Sequence, residues 1–150
     1  MSALSGSTAL DTSALVEYLM GAPTGALLRD YLKNLKAEDK VAASLLTIAE
    51  TYYVLCRLEG QEFADEKLNQ ILSSRVIEIY NSLDLALETG RLKCQRTISL
   101  ADCSCIATAR HARAKAVFAF REEELVREME RKSFDVTVVF LQDMTFEKGR

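Results

Sequence analysis

The chain predicts an α/β domain, a three-layer α/β/α sandwich around a mostly parallel central sheet. Three observations point to it. Short apolar runs alternate with longer stretches of helical periodicity, the order of βαβ crossovers. The 150 residues suit one domain with a sizeable core. No repeat, low-complexity tract or Pro/Gly-rich linker divides them, so residues 1–150 read as a single domain.

The elements follow in chain order. "MSALSGS", residues 1–7, is small and polar, the composition of a disordered leader. "STAL", ending just before Asp11, reads as a buried strand, and "SALVEYLM" and "TGALLRDYLKNL" as helices separated by the loop around Pro23, the one proline. "KVAASLL" is a second strand, followed by the helix "IAETYYVLCRLEG", closed at Gly60. "QEFADEKLNQILSS" is a helix and "RVIEIYN" a β-branched strand. "LDLALETGRLKCQ" reads as a helix interrupted at Gly90, and "LADCSCIATARHAR" as the next helix. "KAVFAF" is a strand, "REEELVREMERK" a charged helix and "FDVTVVFL" a final strand. The apolar excess in "SALVEYLM", "TGALLRDYL" and "TYYVLCRL" predicts a homodimer seam on those helices.

Composition narrows the function classes. Hydrophobic residues make up 49% and charged residues 27%, which excludes a disordered chain. A net charge of −3 gives no general attraction to nucleic acid, so any such contact needs a local basic patch. No apolar run reaches the length of a membrane span, and the start lacks the basic and apolar regions of a secretory signal. The expectation is a soluble, cytoplasmic protein. The cysteines, Cys56, Cys94, Cys103 and Cys105, form no C-x-x-C pair, and His111 is the one histidine, so they read as free thiols in a reducing compartment.

The chemistry lies in acids at the strand ends, where α/β folds build their sites. Asp11 ends the first strand and precedes the hydroxyls of Thr12 and Ser13. Glu50 follows the second strand, Asp102 begins a helix, and Glu122, Glu123 and Glu124 follow "KAVFAF". "TIAE" (Thr47 to Glu50) and "SLAD" (Ser99 to Asp102) each match the capping-box pattern of hydroxyl first and acid three residues on. Asp11 has no capping duty that its neighbouring hydroxyls could not perform. Converging carboxylates repel one another unless a cation lies among them. Oxygen donors without thiolate or imidazole suit Mg²⁺ or Mn²⁺, the usual partners of phosphoryl chemistry. Asp11 is then a candidate metal ligand, with Ser13 holding a carboxylate or a water beside the metal.

Those residues carry a resemblance. "LDTSALVEYL", "LLTIAETYYVL", "ISLADCSCIATAR" and "AVFAFREEEL" are similar in order and spacing to the PIN-domain family, and most of all to the VapC-type toxins of toxin–antitoxin pairs. The likeness runs from about Thr8 to Leu141. It implies a Mg²⁺- or Mn²⁺-dependent endoribonuclease, dimeric and silenced by a cognate antitoxin that fills the active-site groove. It carries the family's acids onto Asp11, Glu50 and Asp102. The fourth, usually an aspartate two residues after a threonine, falls on Glu122, with Phe120 in the threonine's place. These departures imply an alternative, a degenerate domain that binds RNA or protein without cutting. Candidate contacts to RNA are Arg91, Lys93, Arg96, Arg110, Arg113, Lys115 and Arg121, with Tyr18, Tyr52 and Tyr53 as candidates for stacking on bases.

Overall fold

The computed structural model describes residues 4–148, the side chains of 145–148 excepted. Its strands are β1 (Thr8–Leu10), β2 (Val41–Ser44), β3 (Glu78–Tyr80), β4 (Lys115–Phe118) and β5 (Val138–Phe140). The helices are α1 (Thr12–Leu19), α2 (Pro23–Lys33), α3 (Leu45–Glu59), α4 (Gln61–Ser73), α5 (Leu83–Gln95), α6 (Leu100–Ala112), α7 (Glu123–Arg131) and α8 (Leu141–Lys148). All strand pairings are parallel, in the order β3-β2-β1-β4-β5.

Strand residues alternate between two apolar cores, as the two-residue period of a pleated strand requires. Leu10, Val41, Ala43 and Val117 pack with α1, α2, α3 and α4 on one face. Ala9, Ala42, Ala116 and Phe118 pack with α5, α6 and α7 on the other. Covering both faces of a parallel sheet makes the expected three-layer sandwich. The chain builds outward from β1 through β2 to β3, then returns to lay β4 on the far side of β1. The direction of winding therefore reverses between β1 and β4, and a crevice opens beyond their carboxyl ends.

Several expectations need correction. Residues 4–7 are anchored: Leu4 is buried, Tyr31 Oη donates to Gly6 O at 2.5 Å and Lys40 N to Ser7 Oγ at 2.9 Å. The leader's residues 1–3 lie outside the described residues. β2 stops at Ser44, whose Oγ accepts from Thr47 N at 3.2 Å and caps α3. Thr47 is thus already inside the helix, and "TIAE" is no capping box. α5 runs through Gly90 unbroken. α8, which directly follows β5, had no counterpart in the sequence reading. The early helices expected to carry a homodimer seam spend much of their apolar surface within the chain itself. Leu15, Leu19, Leu28, Tyr31 and Leu55 are buried in this chain's own core. A group of exposed leucines instead comprises Leu45 and Leu46 on α3, Leu83 and Leu87 on α5, and Leu100 on α6. None of the described helices is long and apolar enough to cross a membrane.

Candidate active site

Four segments leave the carboxyl edge of the sheet around the β1/β4 crevice, and each brings an acid. Asp11 caps α1: its Oδ2 accepts from Ser13 N at 3.0 Å and from Ser13 Oγ at 2.7 Å. Asp11 itself is the cap, and Thr12 and Ser13, the hydroxyls expected to be able to take that duty, lie inside the helix. Ser13 Oγ in turn accepts from Ala119 N at 2.9 Å, tying α1 to the end of β4. Asp102 sits in the first turn of α6, where Ser99 Oγ accepts its backbone N–H at 3.0 Å. Glu50 lies one turn and a half into α3, and Glu122 occupies the N-cap position of α7.

Asp11, Thr12, Ser13, Glu50, Asp102 and Glu122 all line one cleft of about 370 Å³. Glu17, Tyr53 and Phe120 join them there. Glu17 was overlooked in the sequence; it stands four residues after Ser13, on the same helical face, and that spacing was its one legible signal. Gly25 lets α2 close against this end of α1, since a Cβ there would lie 2.3 Å from Glu17 O.

The electrostatics are unbalanced. Asp11 is 6% and Asp102 8% exposed. Burial pushes the Asp11 carboxyl up to about 6, against the opposing pull of its Ser13 hydrogen bonds, with repulsion from Glu50 and Glu122 adding to the rise. Burial likewise pushes Asp102 up to about 7, helped by repulsion from Asp11, Glu122 and Glu50. Thr12 Oγ1 is buried beside them without a hydrogen-bond partner. An orphaned hydroxyl among mutually repelling carboxylates fits a hard cation with its waters. Among the described residues, no three His, Cys, Asp or Glu side chains already form a ready coordination set, so the acids would have to draw inward around an ion.

The basic candidates lie elsewhere. Arg96 is a core residue: Nη1 donates to Glu128 Oε2 at 2.9 Å and Lys132 O at 2.5 Å, and its guanidinium stacks 4.1 Å from the Phe134 ring. It is corrected from an RNA contact to a structural one. Arg110, Arg113 and Lys115 line a separate recess with Ser7 and Thr137. That recess lies at the amino ends of β1, β4 and β5, the wrong end of the sheet for the acidic cleft. Arg110 is held there by Glu88 and Asp135. Lys93 Nζ donates to Ile98 O, and Arg91 lies exposed on α5. Arg121 follows Phe120 but pairs with Asp143 and stacks on Phe140. None of these seven cations lines the cleft. Glu123 pairs with Arg127, and Glu124 is exposed away from the lining.

The family model for the PIN domain matches residues 8–131. No curated protein matches the chain. Among solved structures, the chain is similar to Mycobacterium tuberculosis VapC20, described as a sarcin-ricin loop cleaving toxin. That match has 17% identity and a TM-score of 0.63, over 81% of this chain and 94% of that one. VapBC2 from Rickettsia felis, bound to a DNA fragment from its promoter, matches at 20% identity and TM-score 0.63, over 89% of this chain and 97% of that one. VapBC-1 from nontypeable Haemophilus influenzae matches at 20% identity and TM-score 0.62, over 90% and 98%.

Proposed function

The chain belongs to the PIN-domain family, and from that premise we propose that it is a divalent-metal-dependent endoribonuclease, the toxin of a toxin–antitoxin pair. One observation carries the reading. Five acids from four separate segments line one cleft, and its two buried members, Asp11 and Asp102, are pushed toward neutrality without a compensating cation. Such a site is costly to keep unless a cation repays it.

Asp11, Asp102, Glu50 and Glu122 would hold Mg²⁺ or Mn²⁺. A bound ion supplies charge neutralisation on the scissile phosphate and lowers the pKa of the attacking water. The protein's own part is positioning. Ser13 fixes the Asp11 carboxylate by two hydrogen bonds and is itself fixed by Ala119. Ser99 fixes the turn that carries Asp102. Thr12 offers its unpartnered hydroxyl to a water or to the substrate. Glu50 and Glu122, less buried, close the cleft's rim.

The structural relatives solved as VapBC complexes support an antitoxin partner. The exposed Leu45 and Leu46 of α3 and Leu100 of α6 line an apolar recess of about 280 Å³, and Leu83 and Leu87 are exposed on α5, the helix that gives the recess Leu85 and Ala86. They support a homodimer through that face rather than through α1 and α2. Phe120 and Glu122 favour a second reading, a module that binds RNA or protein without cutting. A mixed RNA pool incubated with Mg²⁺, Mn²⁺ or EDTA decides between them. Cleavage in either metal but not in EDTA is expected, and binding without cleavage in all three would establish the second reading.

A further inference from the structure

We infer that Phe120 and Tyr53 form a stacking platform that selects unpaired nucleotides at the acidic cleft, an inference that rests on the nuclease reading above. Both rings line the cleft. Phe120 is 39% and Tyr53 46% exposed, whereas Phe118 and Phe140, in and beside the same strand, are 2% and 4% exposed. Their positions tie them to the acids. Tyr53 follows Glu50 by three residues on α3, so the two share a helical face. Phe120 precedes Glu122 by two residues in the turn from β4 to α7.

Charge makes the rings necessary. The cleft is lined by Asp11, Glu17, Glu50, Asp102 and Glu122, and by no lysine, arginine or histidine. A polyanion therefore finds no cationic side chain in the lining to grip its phosphates. The neighbouring Arg121 is held by Asp143. Arg57 lies 5.0 Å from the centre of the Tyr53 ring and steadies it from one side. Stacking supplies affinity without cations, because every base has a π-face. Bases inside a duplex have those faces covered by their neighbours, so only unpaired nucleotides can use the rings. An aromatic residue two positions before Glu122 thus makes a contact that a small hydroxyl residue could not.

The test uses the full chain, Mn²⁺ and a single-stranded oligoribonucleotide with 2′-O-methyl sugars, which resists cleavage, carrying 2-aminopurine as a stacking reporter. Wild-type protein is expected to quench the reporter. Phe120→Ala and Tyr53→Ala should each weaken binding on the order of tenfold. Phe120→Trp should retain it, and an unlabelled duplex of the same sequence should compete poorly. Both alanine variants should keep the wild-type shift of thermal midpoint on adding Mn²⁺, which excludes a collapsed cleft. Unchanged binding in both alanine variants, or duplex competition equal to that of the single strand, overturns the platform. Quenching by wild-type protein that cuts no RNA supports the platform while overturning the nuclease reading.

Discussion

Asp102 on α6 and Glu128 on α7 are buried acids on the same face of the sheet, in opposite electrostatic company. Glu128 accepts from Arg131, from Thr97 Oγ1 at 2.7 Å and from Arg96 at 2.9 Å, and Arg131 foremost holds its carboxyl well below the usual range. Asp102 has a capped backbone but no cation, and it is pushed the other way. One acid is neutralised by the protein itself and fastens α7 to the loop before α6. The other is left for something outside the chain to neutralise. A buried charge that the fold already satisfies is architecture, whereas one that the fold leaves unsatisfied marks a site.

The largest expected effect follows for Asp102→Asn. Asparagine keeps the shape, and Ser99 still caps the backbone, but the charge that would hold a metal is gone. Cleavage should fall at least about 100-fold, the equivalent of losing about 2.7 kcal/mol of transition-state stabilisation. The thermal midpoint in EDTA should be no lower than wild type, because a repelling charge has been removed. A fully active variant would erase the contrast between the two acids.

Glu128→Ala should do the reverse. It strands Arg96 in the core without its carboxylate and should cost on the order of 3 kcal/mol in urea unfolding. Single-turnover cleavage by the fraction still folded should stay near wild type. A neutral effect on stability would mean that the Arg96 hydrogen bonds to Lys132 O and Ser133 O suffice alone.

The two acids also predict opposite pH responses. Asp11 and Asp102 titrate at about 6 and about 7 when folded, above their ordinary 3.8. Between those values the folded chain binds more protons than the unfolded one, so their contribution is present below about pH 4 and is lost as pH rises through 6 to 7. Stability in EDTA should therefore decline between pH 5 and pH 8 by on the order of 4 kcal/mol. Millimolar Mn²⁺ should flatten or reverse that slope, since it binds the deprotonated acids of the native state alone. Glu128, with its folded value lowered, contributes above the ordinary carboxylate range and loses that contribution only in stronger acid. A flat profile in EDTA, unmoved by Mn²⁺, would remove the electrostatic basis of the cleft.

The sequence made these two acids unequally legible. Asp102 stands in "SLAD" at a helix start, a local pattern, Asp11 stands where β1 gives way to α1, and Glu50 ends the similar pattern "TIAE". Glu128 sits in "REEELVREMERK" with nothing local to mark it as buried. Its partner Arg96 lies 32 residues away, so only the tertiary fold shows that this arginine is no surface cation. The same limit explains Arg110 and Arg113, whose end of the sheet depends on the direction of β4. The layers were legible because each strand is short and apolar and each helix long and periodic. The β2 end was misread because Leu45 and Leu46 prolong an apolar run although Ser44 caps the helix. α8 was lost because "LQDMTFEK" has neither a clear apolar period nor a start signal of its own.

The smallest contrast lies within "REEEL". Glu122, Glu123 and Glu124 are consecutive, and on a helix successive residues point about 100° apart, so they cannot share one face. Glu122 lines the cleft and adds to the repulsion felt by both Asp11 and Asp102. Glu123 points to Arg127 in an exposed pair worth about 0.3–0.5 kcal/mol. Glu124 is exposed and touches neither. Glu122 is itself exposed and reaches the cleft from its rim, so its hold on an ion should be weaker than that of the buried aspartates. Glu122→Gln should therefore lower activity about tenfold, less than Asp102→Asn, while Glu123→Gln and Glu124→Gln stay near wild type. A glutamate one methylene longer than the family's aspartate suits the looser geometry of Mn²⁺ better than the strict octahedron of Mg²⁺. The loss should accordingly be milder in Mn²⁺. Rates are compared at one fixed low salt, because RNA affinity depends on ionic strength. Equal rates in all three variants would leave Asp11, Glu50 and Asp102 as the whole acidic site, and a selective loss at Glu124 would mean that α7 turns a different face to the cleft when RNA is bound.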